Sequence, residues 1–249
     1  MGGARPGRAA AMALIGTLER GDKATRVEAF VDAAFAFALT LLVIAGDHIP
    51  ASVEELQLAL RSLPAYALGF LLVIRFWSAH VAWSRTYGLD DAATRRLSLL
   101  LVFLVLVFVY PMKMVFGALC SSLTRGWLPA NFTITSLAEI PVLFTAFGIA
   151  FGSLGVVMSL LYAHAWRMRH RIGLTPRECV DTRFRCYAWT AIPVVAAVSI
   201  VSAWWIPPTR ESGWWLGFPG FLYFGLNIVS ALLDARSRRL QARLPAEVA

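Results

Sequence analysis

The sequence predicts an all-α integral membrane protein, and three observations carry that prediction. Hydrophobic residues make up 58% of the 249 positions, and the mean hydropathy is positive. Six apolar segments reach the roughly 20 residues that a helix needs to cross a bilayer. The loops that join them are too short to hold a soluble domain. The segments lie near residues 27–46, 63–84, 97–119, 139–166, 186–206 and 214–234.

The distribution of positive charge predicts the orientation. Most of the 23 Lys and Arg residues fall in the N-terminal segment, the second and fourth loops and the tail. Cytoplasmic loops of membrane proteins carry such an excess, so we expect both termini in the cytoplasm and a multi-pass protein of the cell membrane. The net charge of +8 therefore reflects topology and does not indicate a nucleic-acid partner. The other side receives only Arg61, Lys113, Arg125 and Arg210.

No internal repeat is evident, so one six-helix unit is the simplest architecture. We expect a loosely ordered cytoplasmic N-terminus over 1–24, the transmembrane domain over 25–236 and a cytoplasmic tail over 237–249.

The first segment is apolar from Ala29 to Gly46 except for Asp32 and Thr40. A carboxylate within a membrane segment is costly and usually faces protein or water rather than lipid. At about 100° per residue, Phe37, Thr40/Leu41 and Ile44 share one helical face, and Asp32 lies about 140° away from Phe37. One face could therefore line something while Asp32 anchors the helix to its neighbours.

The second segment ends in a polar group that could meet the first. Trp77 and His80 are three residues apart and hence neighbours on one helical face. If the first two segments are antiparallel, Arg26, Asp32, Trp77 and His80 can form one compact cluster. We expect it to hold the first helix in place, and proton sensing by His80 is the alternative. Between the two segments, Asp47 could concentrate cations at an outer mouth or could be an ordinary loop carboxylate.

The remaining segments contain packing and boundary signals. Pro111 should kink the third segment or mark its outer end. Gly148 and Gly152 in the fourth permit close helix contact. The fifth and sixth are bordered by an aromatic belt that consists of Trp204, Trp205, Trp214 and Trp215.

The first two segments resemble those of the transmembrane protein 175 family, the endolysosomal potassium channels and their single-repeat bacterial homologues. The family pattern Arg-x-x-x-Phe-Ser-Asp is matched by Arg26, Phe30 and Asp32, with Val31 in place of the serine. Trp77 and His80 match the Trp-x-x-His of the family's second helix. The asparagine that many members carry early in the third helix is absent, and Ser98 is the polar candidate there.

The resemblance implies a potassium-type cation channel that is a homotetramer, with four first helices around a central pore in the bilayer. By position after Asp32, it places the apolar constriction at Phe37, Thr40, Leu41 and Ile44, and the pore mouth at Asp47. Phe37 stands where the family more often has isoleucine or leucine, which favours a narrower pore. Potassium and other monovalent cations are then the permeant species, and no cofactor is implied.

Two other functions remain open. One is a membrane enzyme or proton-coupled carrier that uses Asp32 and His80, and the other is a non-conducting scaffold of the same fold. We expect no enzyme and no metal site, because the sequence has no nucleotide-binding, metalloprotease or serine-hydrolase motif and no CxxC.

Overall fold

The computed structural model describes residues 20–21, 25–44, 50–130 and 134–243, and every regular element in those ranges is helical. The all-α prediction is therefore confirmed. In chain order the helices are α1 (Arg26–Ile44), α2 (Val53–Arg61), α3 (Leu63–Tyr87), α4 (Ala92–Leu123), α5 (Ile140–Arg167), α6 (Pro176–Trp205), α7 (Phe218–Phe221) and α8 (Gly225–Gln241), with 3₁₀ turns at Leu137–Glu139, Arg210–Gly217 and Leu222–Phe224.

Five stretches of the described chain are long and apolar enough to cross a membrane, which makes this a multi-pass membrane protein. Helix α1 is not among them, so the count of six spans remains a prediction. The five stretches are Leu63–Tyr87, Ala92–Leu123, Leu137–Arg167, Pro176–Trp205 and Trp214–Gln241.

Polar bonds tie several helix ends together at one end of the bundle. The backbone N–H of Gly21, ahead of α1, donates to the carbonyl of Arg85 near the end of α3, at 3.0 Å. Asp91, which precedes α4, lies 2.7 Å from Nε2 of His164 in the last turn of α5. We call this the basic end, because the Arg-rich second and fourth loops both lie there.

Local sequence explains where the helices at the basic end begin and stop. Helix α3 ends at Gly88, whose φ of 57° is left-handed and suits glycine. Asp91 caps α4 by accepting from the backbone N–H of Thr94 at 2.8 Å. Burial favours a raised pKa for Asp91, but the bonds from Thr94 and His164 outweigh it and lower that pKa.

Small residues allow α5 and α6 to pack closely, as the Gly148-x-x-x-Gly152 pattern predicts. A Cβ added at Gly155 would lie 2.7 Å from Cγ2 of Ile192, and one at Gly152 would lie 3.1 Å from Cβ of Ala196. Any side chain at these positions would therefore push the two helices apart.

The structure differs from the sequence prediction in three places. Residues 53–61 form the short helix α2, capped by the Ser52 hydroxyl, which accepts from the N–H of Glu55 at 3.1 Å, where we expected loop. Helix α4 continues past Pro111 to Leu123, so Pro111 does not mark its outer end. The sixth segment is helical throughout Trp214–Gln241 but passes through 3₁₀ turns before α8, and Pro219 stands in the first turn of α7, where its missing N–H is tolerated.

We expect Gly155→Ala to lower the stability of the bundle. The added methyl overlaps Ile192, and overpacking of this kind costs about 1–3 kcal/mol. The midpoint of thermal unfolding in detergent measures the effect. Gly225→Ala is the matched control, because a Cβ there meets nothing within 4 Å and alanine favours helix. Equal midpoints for both variants would contradict tight α5–α6 packing.

Candidate functional site

Helix α1 is buried along one side only. The buried side chains recur every three or four residues, as expected of a helix with one face against the protein. Leu42 packs over α3, and a Cβ at Gly69 would come within 3.0 Å of its Cδ2. One side of α1 is thus fixed against α3 and α4 of the same chain. The buried stripe consists of Val31, Phe35, Ala38 and Leu42.

The opposite side of α1 is uncovered, and we call it the open face. Phe30 is 55% exposed and Phe37 is 57% exposed, although both are large and apolar. Thr40 is also exposed, and its hydroxyl donates to the Phe37 carbonyl at 2.7 Å. The hydroxyl oxygen keeps its acceptor capacity in that arrangement. Leu41 is half-buried, and the side chain of Ile44 lies outside the described part of the chain.

Asp32 and Trp77 are brought together. The indole Nε1–H of Trp77 donates to Oδ1 of Asp32 at 2.8 Å, which joins α1 to α3. A charged acceptor makes this bond stronger than one between neutral groups. Arg26 is exposed and has no hydrogen bond or ion pair among the described residues.

His80 lies in a separate, buried contact. Its Nε2 is 2.9 Å from the Ser98 hydroxyl of α4, and only 2% of the residue is exposed. Ser98 was the polar candidate on the third segment, and it does reach the second. Trp77 is therefore bonded to Asp32 and His80 to Ser98, while Arg26 is bonded to neither, so the four predicted residues do not form one bonded cluster.

Sequence analysis missed Glu28, which has two roles. It forms reciprocal bonds with Thr25, whose hydroxyl accepts from the Glu28 N–H at 3.2 Å while Glu28 accepts from the Thr25 N–H at 2.5 Å. It also accepts from the hydroxyl of buried Ser84 in α3. The spacing Thr-x-x-Glu ahead of an apolar run is a capping-box signal and could have identified it.

A second missed contact involves Arg20, which precedes α1. Its guanidinium donates to both carboxylate oxygens of Glu178, at 2.9 and 2.8 Å, and to the carbonyls of Ile172 and Gly173. The bonds to Glu178 raise the pKa of Arg20, although partial burial opposes the shift. No sequence signal links residues this far apart. Asp47, the proposed pore mouth, lies outside the described residues.

Comparison with known proteins also gives a match to the first part of the chain. The family model of the endosomal/lysosomal potassium channel TMEM175 matches residues 26–111, which include α1, α3 and the Asp32–Trp77 bond. A potassium channel of Marivirga tractuosa is 30% identical over 237 residues, which cover 89% of this chain and 92% of the relative.

This chain belongs to the TMEM175 family. A solved structure agrees, namely the crystal structure of a variant of the potassium channel MtTMEM175 with a nanobody–MBP fusion protein. It matches with a TM-score of 0.75 and 26% identity, over 96% of this chain and 100% of that chain. The resemblance noted from the first two segments is confirmed, and membership places the chain among channels rather than enzymes.

The bond between Trp77 and Asp32 should contribute measurably to stability. We expect Trp77→Phe and Asp32→Ala each to lower the unfolding midpoint, and the double variant to lose little more. The coupling should be about 1.5–3 kcal/mol, the usual range for a bond to a charged group. Trp205→Phe, the same change at a site 84% exposed, is the control. Strictly additive losses would mean that the contact contributes nothing.

Proposed function

We propose that this chain forms a potassium-type cation channel, with the open face of α1 lining a central pore between four copies. The observation that supports it is the one-sided burial of α1. Phe37 and Thr40 are exposed in the single chain, so they are free to face an axis. The constriction comprises Phe37, Thr40, Leu41 and Ile44.

Electrostatics favours protein or water over lipid next to α1. Asp32 is exposed and about 9 Å, six residues, into the helix. An ionised carboxylate facing lipid at depth costs about 2.5–3.5 kcal/mol by insertion scales. Contact with neighbouring copies removes that cost, since it replaces lipid with protein.

The side chains of the open face suit a narrow cation path. Four Phe37 rings form an apolar collar that closes by dewetting. Four Thr40 hydroxyl oxygens, whose protons point back to the Phe37 carbonyls, present lone pairs to a partly dehydrated monovalent cation. Asp47 at the mouth raises the local cation concentration. The channel lies in the cell membrane with both termini in the cytoplasm.

A proton-coupled carrier fits the contacts less well. Such a carrier would pass protons between Asp32 and His80, but each is bonded to a different partner, Trp77 and Ser98 respectively. Within the described residues, no group of three or more His, Cys, Asp or Glu could hold a metal ion.

Planar-bilayer recording with potassium on one side and sodium on the other tests the pore. We expect Phe37→Ala to raise unit conductance or open probability several-fold, because a smaller collar stays wet. Thr40→Ala should reduce the potassium-to-sodium permeability ratio, since it removes the ring of oxygens. The readouts are unit current and reversal potential.

Phe103→Ala on α4 is the matched control, because Phe103 is 60% exposed but does not lie on α1. It should leave both readouts unchanged. If Phe37→Ala and Thr40→Ala behave like this control, α1 does not line the pore. If no variant conducts under any gradient, the scaffold alternative gains support. The protein mass measured in detergent should equal that of four chains of 27.4 kDa each, and any other value would reject the tetramer.

A further inference from the structure

A groove near the basic end lies between α3 and α6 and is separate from the open face of α1. It has a volume of about 410 Å³, within the range of small-molecule pockets. Two contacts between α3 and α6 flank it along the helices. The rings of Phe76 and Trp189 lie 5.5 Å apart at one end, and the Tyr87 hydroxyl lies 2.8 Å from the Thr182 hydroxyl at the other. Tyr162 of α5, which is buried, also lines it.

The mouth of the groove is cationic. Arg85 and Arg185 line it from opposite helices, together with one carboxylate, Asp181. Arg185 is bonded to Asp181 at 2.6 Å, so one of the two positive charges is neutralised. The Arg85 side chain is exposed and makes no ion pair with any described residue. The mouth therefore carries a net positive charge and unused guanidinium donors.

Away from its mouth the groove runs along α3, where the apolar side chains of Val81 and Ala82 and the ring of Trp77 share the wall with the hydroxyl groups of Ser78 and Thr86. Arg85 is two residues from the end of α3, whereas Trp77 is eight residues further in, about 12 Å along the axis. Val81 and Ala82 lie between them on the wall. A charged mouth near the basic end above a partly apolar slot matches a molecule with an anionic head and a hydrocarbon chain.

We propose that this groove binds one anionic phospholipid, with its phosphate at Arg85 and Arg185 and an acyl chain along Trp77, Val81 and Ala82. Guanidinium groups recognise phosphate through paired charge-assisted bonds, and basic pockets between membrane helices hold anionic head groups in this way. Inorganic phosphate shares the charge but has nothing to place in the apolar slot. The inference does not depend on ion conduction.

Trp77 links the groove to the candidate pore helix. The same indole that lines the slot donates to Asp32 of α1. A bound acyl chain therefore packs beside the side chain that fixes α1 to α3.

Native mass spectrometry of the full chain in detergent tests the site by counting bound lipids. We expect one dioleoyl phosphatidylglycerol per chain, and binding of the zwitterionic phosphatidylcholine at least about tenfold weaker. Arg85→Gln should weaken phosphatidylglycerol binding about tenfold, because its phosphate bonds are lost. Ala82→Phe should do the same by filling the slot, with every charge retained.

Arg239→Gln is the control, since this exposed residue near the end of α8 gives the same loss of charge at the basic end, outside the groove. It should leave binding unchanged. Equal losses for Arg85→Gln and Arg239→Gln would overturn the site in favour of general surface attraction. Unaltered binding in Ala82→Phe would overturn the acyl slot, as would displacement of the lipid by inorganic phosphate at matched ionic strength. An unchanged unfolding midpoint of lipid-free Arg85→Gln confirms that a loss reflects binding and not misfolding.

Discussion

The stripe of four buried side chains on α1 is the contact on which the rest of the arrangement depends. Val31, Phe35, Ala38 and Leu42 fix the rotation of the helix against α3 and α4. That rotation leaves the opposite side uncovered over the length of the described helix. A helix with apolar residues on all sides has no preferred rotation in a bilayer by hydrophobicity alone. Packing and a few polar bonds must therefore set it.

The polar bonds that help to set the rotation of α1 lie at the basic end. Glu28 reaches Ser84, and Arg20 reaches Glu178 across the fourth loop. Glu178 and Ser84 are buried, so each needs the hydrogen-bond partner that it finds here. Together these bonds hold the start of α1 to helices from both halves of the chain.

Helices α5 and α6 form the tightest pair, because glycines replace side chains along their contact. Their separation is set where the side chains of Ile200 and Ile192 lie over Gly148 and Gly155. The groove between α3 and α6 lies beside this tightly packed pair, and Tyr162 of α5 also lines it. It lies between the Phe76–Trp189 contact and the Tyr87–Thr182 bond.

Sequence by itself determined the membrane class, most of the spans and the family, because these follow from hydropathy and from motifs within one or two helices. It also indicated that Asp32 could meet Trp77, since antiparallel neighbours bring those depths together. It missed α2, where capping by Ser52 decides, and the 3₁₀ turns before α8. Only the tertiary structure separated His80 from Asp32 and joined Arg20 to Glu178, because those contacts depend on how helices distant in sequence rotate and pack.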